Sequence, residues 1–326
     1  MQNEDQKRIL VAPLDWGLGH ATRCIPLIRE WLSEGNEVIL AADGATAELL
    51  RSHFPNCRIV SLRGYNIHYS NRLPLLLSLL FQLPKFLNAI RDEKSWLANF
   101  LKTEHVDLIV SDNRYGFHNK AVKSIIITHQ LFVQVPVSLR FLKKNIHRKI
   151  LKYIAAFDEC WIPDKQGVES LSGDLSQEQA LPAHAKFIGW LSRFDNTPIS
   201  KDLFETYDQL ILLSGPEPLR TTTENKLLAA ALVSGEKTLL VQGKPSMKST
   251  FTENNVTFVS HLDDDALKHA LLYSKKITCR AGYSTLMDLK TIDRLGKNVH
   301  LLPTPGQTEQ EYLANRLLAA GVVNSR

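Results

Sequence analysis

A glycine followed by two hydroxyl side chains, at the predicted start of a helix, has the chemistry of a phosphate-binding turn. Gly282 comes after the predicted strand 275–279, and Ser284 and Thr285 open a segment with apolar residues at helical spacing. Glycine lets a ligand approach the backbone closely, and the N–H groups of a helix's first turn present the positive end of the dipole. This turn could therefore hold a diphosphate, with two hydroxyl donors. A capped helix without a ligand fits the same residues, and this stretch alone leaves both interpretations open.

Polar side chains near this turn could bind a ribose diol and the hydroxyls of a sugar. Asp288 lies one helical turn after Thr285 on the same face, where its carboxylate could accept hydrogen bonds from a ribose diol. A rigid Pro-Thr-Pro-Gly turn, 303–306, follows the predicted strand 298–302. Three polar residues that fit the hydroxyls of a sugar then open the next helix: Gln307, Glu309 and Gln310. Ligands of open α/β sheets bind at the carboxyl ends of strands, where both turns are predicted.

A histidine after the first predicted strand is a candidate general base. His20 follows Gly17 and Gly19 in a glycine loop, which would place it in the crevice above the sheet. Histidine titrates near neutral pH and can take a proton from a hydroxyl or from water. A helix-capping or surface histidine is the alternative interpretation. Asp112, which follows another predicted strand, could orient His20, bind an acceptor or cap the next helix.

Strands and helices alternate along the chain, and this alternation predicts an α/β fold. With 326 residues the chain is too long for one ordinary domain and suits two. The segment 187–190 leads into a predicted linker, so we place a first domain at residues 1–190 and a second at residues 191–326. Each domain is expected to be a doubly wound, Rossmann-like unit.

The two turns of the second half resemble the donor domain of GT-B nucleotide-sugar glycosyltransferases. The family 28 type, which includes the N-acetylglucosaminyltransferase that forms lipid II, has the pattern Arg-Ala-Gly-x-x-Thr-x-x-Glu after a strand. The pattern is matched here by five residues: Arg280, Ala281, Gly282, Thr285 and Asp288. Asp288 stands where that family has Glu, which would shorten the ribose contact. The resemblance also implies donor contacts at Ser214 and Gly215, and two Rossmann-like domains, acceptor-binding and donor-binding, that face each other across a cleft.

The first glycine loop resembles two groups of GT-B proteins. Gly17-Leu-Gly-His20 matches the acceptor-side loop of the lipid II-forming family. The longer run from Gly17 to Cys24 matches the Gly-x-Gly-His-x-x-Arg-Cys motif of the UDP-sugar hydrolase of the pseudaminic acid pathway, in which the histidine is thought to activate water. The motif therefore fits transfer to a sugar hydroxyl or transfer to water.

The function implied by the resemblance is transfer of a hexose-type sugar, such as N-acetylglucosamine, from a UDP-sugar to an acceptor hydroxyl without a metal. No cofactor is implied, because the UDP-sugar is a substrate. His20 would deprotonate the acceptor. A UDP-sugar hydrolase that uses the same histidine, and a catalytically inactive relative that binds nucleotide sugars, are the alternatives.

A basic amphipathic segment, residues 140–152, is typical of a helix that lies on an anionic membrane face. Such a contact would suit a lipid-linked acceptor, and a solvated basic face packed on its domain is the alternative. The net charge of +5 comes from dispersed residues, and no nucleic-acid-binding motif is present. The four cysteines are too far apart to predict a zinc site or disulfides. A polar N-terminus and the lack of long apolar runs favour a cytoplasmic protein, peripheral on the inner membrane face if residues 140–152 bind it.

Overall fold

The structure is a computed structural model of the chain and describes residues 6–65, 75–215, 217–247 and 249–323, without the side chains of residues 75–83 and 137. The chain divides into two compact units. The first unit comprises Met1–Trp16 and His20–Leu191, and the second comprises Gly17–Gly19 and Ser192–Arg326. Each unit is built around its own sheet.

The first unit contains a parallel sheet. Its strands are β1 (Arg8–Pro13), β2 (Glu37–Ala41), β3 (Arg58–Val60), β4 (Leu108–Asp112), β5 (Lys123–Ile127), β6 (Glu159–Ile162) and β7 (Ala185–Phe187). The α-helices between them are α1 (Gly19–Ser33), α2 (Gly44–His53), α3 (Leu75–Phe100), α4 (Lys143–Ile154) and α5 (Asp174–Gln177). In the described residues the strand order is β3-β2-β1-β4-β5-β6-β7, and each neighbouring pair is parallel.

Continuous apolar runs form the central strands of this sheet because core side chains cover both of its faces. Residues 9–12 of β1 are at most 1% exposed, which is typical of a strand in a parallel sheet between two helical layers. One core cluster joins Ile109 of β4 to Leu97 of α3. Another joins Ile126 of β5 to Ile154 of α4.

The strand order of the first sheet reverses between β1 and β4. In their register Pro13 lies opposite Asp112, so both strands end at the same edge of the sheet. Such a reversal opens a crevice at the carboxyl ends of the two strands, and doubly wound proteins bind ligands there. The loop after β1 leads to His20, and β4 ends at Asp112. The fold therefore brings the two predicted catalytic residues to one place.

The second unit contains a mainly parallel sheet. Its strands are β8 (Gln209–Leu212), β9 (Thr238–Val241), β10 (Thr250–Glu253), β11 (Val256–Val259), β12 (Lys276–Arg280) and β13 (Val299–Leu302). Its α-helices are α6 (Leu219–Ser234), α7 (Asp264–Tyr273), α8 (Tyr283–Thr291) and α9 (Thr308–Ala319). The order over the described residues is β10-β11-β9-β8-β12-β13, in which only the edge pair β10–β11 is antiparallel. This order reverses between β8 and β12.

The predicted α/β class with two doubly wound sheets is confirmed. The strands of both units are short and, apart from the edge pair β10–β11, parallel, and helices connect most of them as the alternating sequence pattern predicts. Within the described part of the chain, none of the helices combines the length and the apolar character needed to cross a membrane. The cleft between two facing domains stays a prediction.

Candidate active-site residues

His20 and Asp112 are in direct contact. The Nδ1 atom of His20 lies 2.7 Å from Oδ1 of Asp112, and the two side chains are 15% and 0% exposed. Gly17, in the loop before α1, has a φ of +89°, a conformation that glycine adopts without strain. Gly19 then begins α1, which places His20 in the first turn of the helix. The glycine loop and the end of β4 therefore build this pair.

Asp112 is ionised at neutral pH although it is buried. Burial raises the pKa of Asp112, but the positive charge of Arg23 and the hydrogen bonds from His20 and Arg23 outweigh that effect and bring the pKa to about 2. Cys24 adds a thiol contact, with Sγ 3.7 Å from Oδ2 of Asp112. Burial raises the pKa of Cys24 well above its usual value, so this thiol keeps its proton and donates it.

The contact with Asp112 decides which ring nitrogen of His20 carries a proton. An ionised carboxylate can only accept hydrogen bonds, so the 2.7 Å contact favours a proton on Nδ1, although Nη2 of Arg23, which is also a donor, lies 2.9 Å from the same atom. In the neutral ring the lone pair is then on Nε2. This is the arrangement by which a buried carboxylate orients a catalytic histidine for proton transfer. His20 can therefore act as a general base through Nε2.

The sequence patterns assign no role to Arg23, which the structure shows to be the main partner of Asp112. Arg23 donates from Nε to Oδ2 and from Nη2 to Oδ1 of Asp112. Its Nη1 donates to Nδ1 of His129 at 3.1 Å. Two features of the sequence point to this residue. Arg23 is the arginine of the Gly-x-Gly-His-x-x-Arg-Cys motif, and it lies three residues after His20 in a helix, so the two side chains share one face.

In the second unit the loop after β8 and the turn after β12 lie at the reversal of the strand order. Ser214 is partly buried and Gly215 is exposed, with a φ of +102° in this loop. Gly282 is the N-cap residue of α8 and makes no side-chain cap, and Ser284 and Thr285 lie in the first turn. The structure thus places these five predicted donor-site residues at the reversal, where doubly wound sheets bind ligands.

Arg280 ends β12 as a buried cation. It is 4% exposed, and its Nη2 donates to the carbonyl of Leu219 and to Oγ1 of Thr223 at 3.2 and 2.6 Å. Among the described residues, Nε of Arg280 is buried without a hydrogen-bond partner, and no ion pair of Arg280 is found. Burial lowers the pKa of Arg280. An unpaired buried charge costs free energy, so the surroundings of Arg280 favour an added anion.

Arg220 provides a comparison inside the same unit. It is 3% exposed, and its guanidinium contacts the carboxylates of Glu217 and Glu224. The Nε atom donates to Glu217 at 2.7 Å. The charge of Arg220 is therefore balanced by protein groups, in contrast to the charge of Arg280.

Asp288 lies in the second turn of α8 with both carboxylate oxygens in protein contacts. Oδ1 accepts from Oγ of Ser192 at 2.7 Å, and Oδ2 accepts from Nε of Arg193 at 3.3 Å. Burial raises the pKa of Asp288, and Arg193 and Ser192 offset part of that rise. The structure therefore gives Asp288 a role in holding the segment that begins the second unit. Its contact with a ribose stays a prediction.

The turn after β13 is held by side chains of α9. Oε1 of Gln310 accepts from the backbone N–H and from Oγ1 of Thr304, both at 2.9 Å. Gln307 is the N-cap residue of α9, and Glu309 lies in its first turn. The three predicted sugar-binding residues are partly buried at this turn, and their contact with a sugar stays a prediction.

One acidic run of the second unit lies at the start of a helix. The three aspartates at 263–265 begin α7, where Asp263 caps the helix by accepting from the N–H of Ala266 at 2.8 Å. Over the described residues, no three His, Cys, Asp or Glu side chains form a group that could hold a metal ion.

Comparison with known proteins finds chains of similar structure, whereas the sequence comparisons find no match. No protein-family model matches the chain, and no curated protein matches it. The glycosyltransferase of kitacinnamycin is similar in structure, with 14% identity, coverage of 98% of this chain and 85% of that chain, and a TM-score of 0.61. UGT2 of Phytolacca americana, solved with UDP-2-fluoro-glucose and pterostilbene, has 13% identity, coverage of 97% and 84%, and a TM-score of 0.57.

A third similar structure is MurG of Acinetobacter baumannii. It has 13% identity, coverage of 97% of this chain and 84% of that chain, and a TM-score of 0.50. At such identities the likeness concerns the fold, and it extends over nearly the whole chain. The chain therefore has the α/β fold of the GT-B glycosyltransferases.

Proposed function

We propose that this protein is a glycosyltransferase that moves a sugar from a UDP-sugar to an acceptor hydroxyl. The observation that carries the proposal is the contact between His20 and the ionised, buried Asp112, which leaves the lone pair of His20 on Nε2. A base at the reversal of the strand order, in a fold shared with glycosyltransferases, suits removal of a proton from an acceptor. UGT2, one of the similar structures, was solved with a UDP-sugar analogue, which supports a UDP-sugar donor here.

In the proposed reaction the acceptor O–H gives its proton to Nε2 of His20. The acceptor oxygen forms a bond to the anomeric carbon of the sugar, and the bond from that carbon to the diphosphate oxygen breaks. UDP leaves with the electron pair of the broken bond. Asp112 stabilises the imidazolium that forms, because its carboxylate accepts the Nδ1 proton of the ring.

Groups of the second unit would stabilise the leaving diphosphate without a metal. The proposed contacts are the first-turn N–H groups of α8, the hydroxyls of Ser284 and Thr285, and the loop at Ser214 and Gly215. The buried guanidinium of Arg280, whose Nε has no partner among the described residues, supports an anion in its neighbourhood. The proposed sugar contacts are Gln307, Glu309 and Gln310, and the proposed ribose contact is Asp288.

We further propose that the transferred sugar is of the hexose type and that the acceptor is linked to a lipid.

The helix α4 presents a basic face that suits such an acceptor. Ile150 and Leu151 of α4 pack against the core of the first unit, so the apolar face of this helix is covered by protein. Its other face exposes Lys144, Arg148, Lys149 and Lys152. Phe141, just before α4, is 77% exposed. This combination supports a contact of residues 140–152 with an anionic membrane surface rather than an inserted helix.

The test is a thermal-shift titration with UDP, GDP and TDP and their sugar conjugates, followed by a turnover assay with the conjugate that stabilises the protein. A ligand that binds only the folded state raises its stability. Selective stabilisation by UDP compounds, with sugar transfer to added acceptors, is expected. Free sugar and UDP formed at the same rate with and without acceptors would identify a hydrolase. Stabilisation without turnover would identify an inactive binding protein.

A further inference from the structure

We propose that Arg23 is a positioning residue that acts through Asp112 to hold His20 in the tautomer with the proton on Nδ1. The inference rests on the proposed role of His20 as the base. The inference assigns a function to Arg23, a buried residue that takes no direct part in the proposed reaction. Arg23 and Asp112 are 2% and 0% exposed, so their pairing takes place away from water.

Arg23 and Asp112 form a bidentate arginine–carboxylate pair. Nε and Nη2 of Arg23 donate to the two oxygens of Asp112, which fixes the plane of the carboxylate. Nη1 donates to His129, which follows β5. All three guanidinium nitrogens therefore have partners, and Arg23 connects α1 with the ends of β4 and β5. Oδ1 of Asp112 is then aimed at Nδ1 of His20.

Arg23 also keeps the carboxyl group of Asp112 ionised, so that it can accept a hydrogen bond from His20. Burial alone would raise the pKa of this carboxyl, and the charge of Arg23 is the largest effect that lowers it. Without Arg23 the carboxyl would be protonated or would turn away. A protonated carboxyl no longer requires a donor at Nδ1, so the tautomer of His20 would no longer be selected.

Arg23 would select the opposite tautomer if Asp112 did not accept from the ring. Its Nη2 lies 2.9 Å from Nδ1 of His20, and a guanidinium can only donate. Nη2 carries two protons. One is donated to Oδ1 of Asp112, and Nδ1 does not accept the other while it gives its own proton to the same oxygen. Asp112→Asn weakens that acceptor, so Nη2 would donate to Nδ1 and the ring proton would move to Nε2. His20 would then lack the lone pair that the base needs.

The experiment measures the tautomer directly by ¹⁵N NMR of the imidazole nitrogens in the histidine-labelled protein at neutral pH. His20→Gln assigns the signals of His20. We expect a protonated Nδ1 and an unprotonated Nε2 in the natural protein. Arg23→Met should increase the population protonated on Nε2 and lower kcat about 100-fold, the lower range for general base catalysis, with UDP affinity unchanged. Arg23→Lys, which keeps the charge but loses the fork, should give an intermediate result.

Arg114→Met is the matched control. Arg114 is also fully buried in the first unit, and its Nη1 donates to Glu93 at 3.0 Å. Its loss should lower stability without changing the tautomer of His20. An equal change of tautomer in this control would overturn the proposal, as would an unchanged tautomer in folded Arg23→Met. If Arg23→Met does not fold, Arg23→Lys decides, and natural tautomer and turnover in that variant would refute the role.

The NMR measurement needs no substrate, so it separates this inference from the proposed function. A natural protein with the Nδ1-protonated ring but no turnover of any UDP-sugar would refute the transferase function alone. Turnover in the natural protein, together with a tautomer that does not respond to Arg23, would refute the positioning role alone.

Discussion

The Nδ1 atom of His20 lies 2.7 Å from an oxygen of Asp112, although 92 residues separate the two along the chain. Their strands make the contact possible, because β1 and β4 are parallel neighbours and end at the same edge of the sheet. The strand order therefore brings the proposed base and the carboxylate that contacts it together. The consequences of this relationship can be measured.

Replacement of His20 by Ala should lower kcat by a factor on the order of 10² to 10⁴, because the base is lost. UDP affinity should stay within about twofold, since no donor contact is removed. Initial rates with a UDP-sugar and calorimetric titration with UDP measure the two quantities. His105→Ala is the control, because that ring is 79% exposed and lies 2.9 Å from Asp107, just before β4. Full turnover in His20→Ala would remove His20 as the base.

The free energy of unfolding should depend on Asp112 in acid. Its pKa is about 2 in the folded protein, below the value of about 3.9 for an unfolded chain. The unfolded state therefore binds a proton at higher pH, and the stabilisation by Asp112 is complete above pH about 4 and is lost as the pH falls towards 2. By linkage this contribution is on the order of 2 kcal/mol. Urea unfolding at several acid pH values should show a shallower loss of stability in Asp112→Asn than in the natural protein.

Part of this architecture follows from local sequence pattern and part does not. Apolar strands, glycine turns and helical spacing identify the α/β class and the residues at strand ends, because these features depend on neighbours in the chain. The contact between Arg23 and Asp112 depends on the order of the strands in the sheet, and this order cannot be read from a single sequence. The contacts of Asp288 could not be predicted for the same reason. Helical spacing places it on the face of Thr285, but Ser192 and Arg193, which cover its carboxylate, lie 96 and 95 residues away.

Arg280→Met should weaken UDP binding about 10- to 100-fold, the range for a hydrogen bond with a charged group. The unliganded protein should be as stable as the natural one or more stable, because a buried charge that has no ion pair among the described residues is removed. Isothermal titration with UDP and urea unfolding measure the two effects. Arg220→Met is the matched control. It should lose stability, since Glu217 and Glu224 lose their cation, and it should retain UDP affinity. The opposite pattern would exclude Arg280 as a diphosphate contact.

Reversal of charge at Lys144 and Lys149 should release the protein from vesicles that contain anionic lipid. These lysines lie on the exposed face of α4, and each charge near such a surface contributes about 1 kcal/mol. Sedimentation with phosphatidylglycerol vesicles at two salt concentrations measures the binding. The control reverses Lys94 and Lys102, two exposed lysines elsewhere in the first unit, and should leave binding largely intact. Equal loss in both variants would indicate a response to net charge rather than a membrane face.

The proposed ribose contact of Asp288 can be tested with a ligand that lacks the diol. UDP should bind more tightly than 2′,3′-dideoxy-UDP in the natural protein, because the ribose hydroxyls donate to the carboxylate. In Asp288→Asn the difference between the two ligands should shrink about tenfold, as one hydrogen bond to a charged group is weakened. Ser192→Ala removes a contact of Oδ1 but keeps the charge, so it should preserve the discrimination. If both variants discriminate as the natural protein does, Asp288 holds only Ser192 and Arg193, and the ribose is bound by other residues.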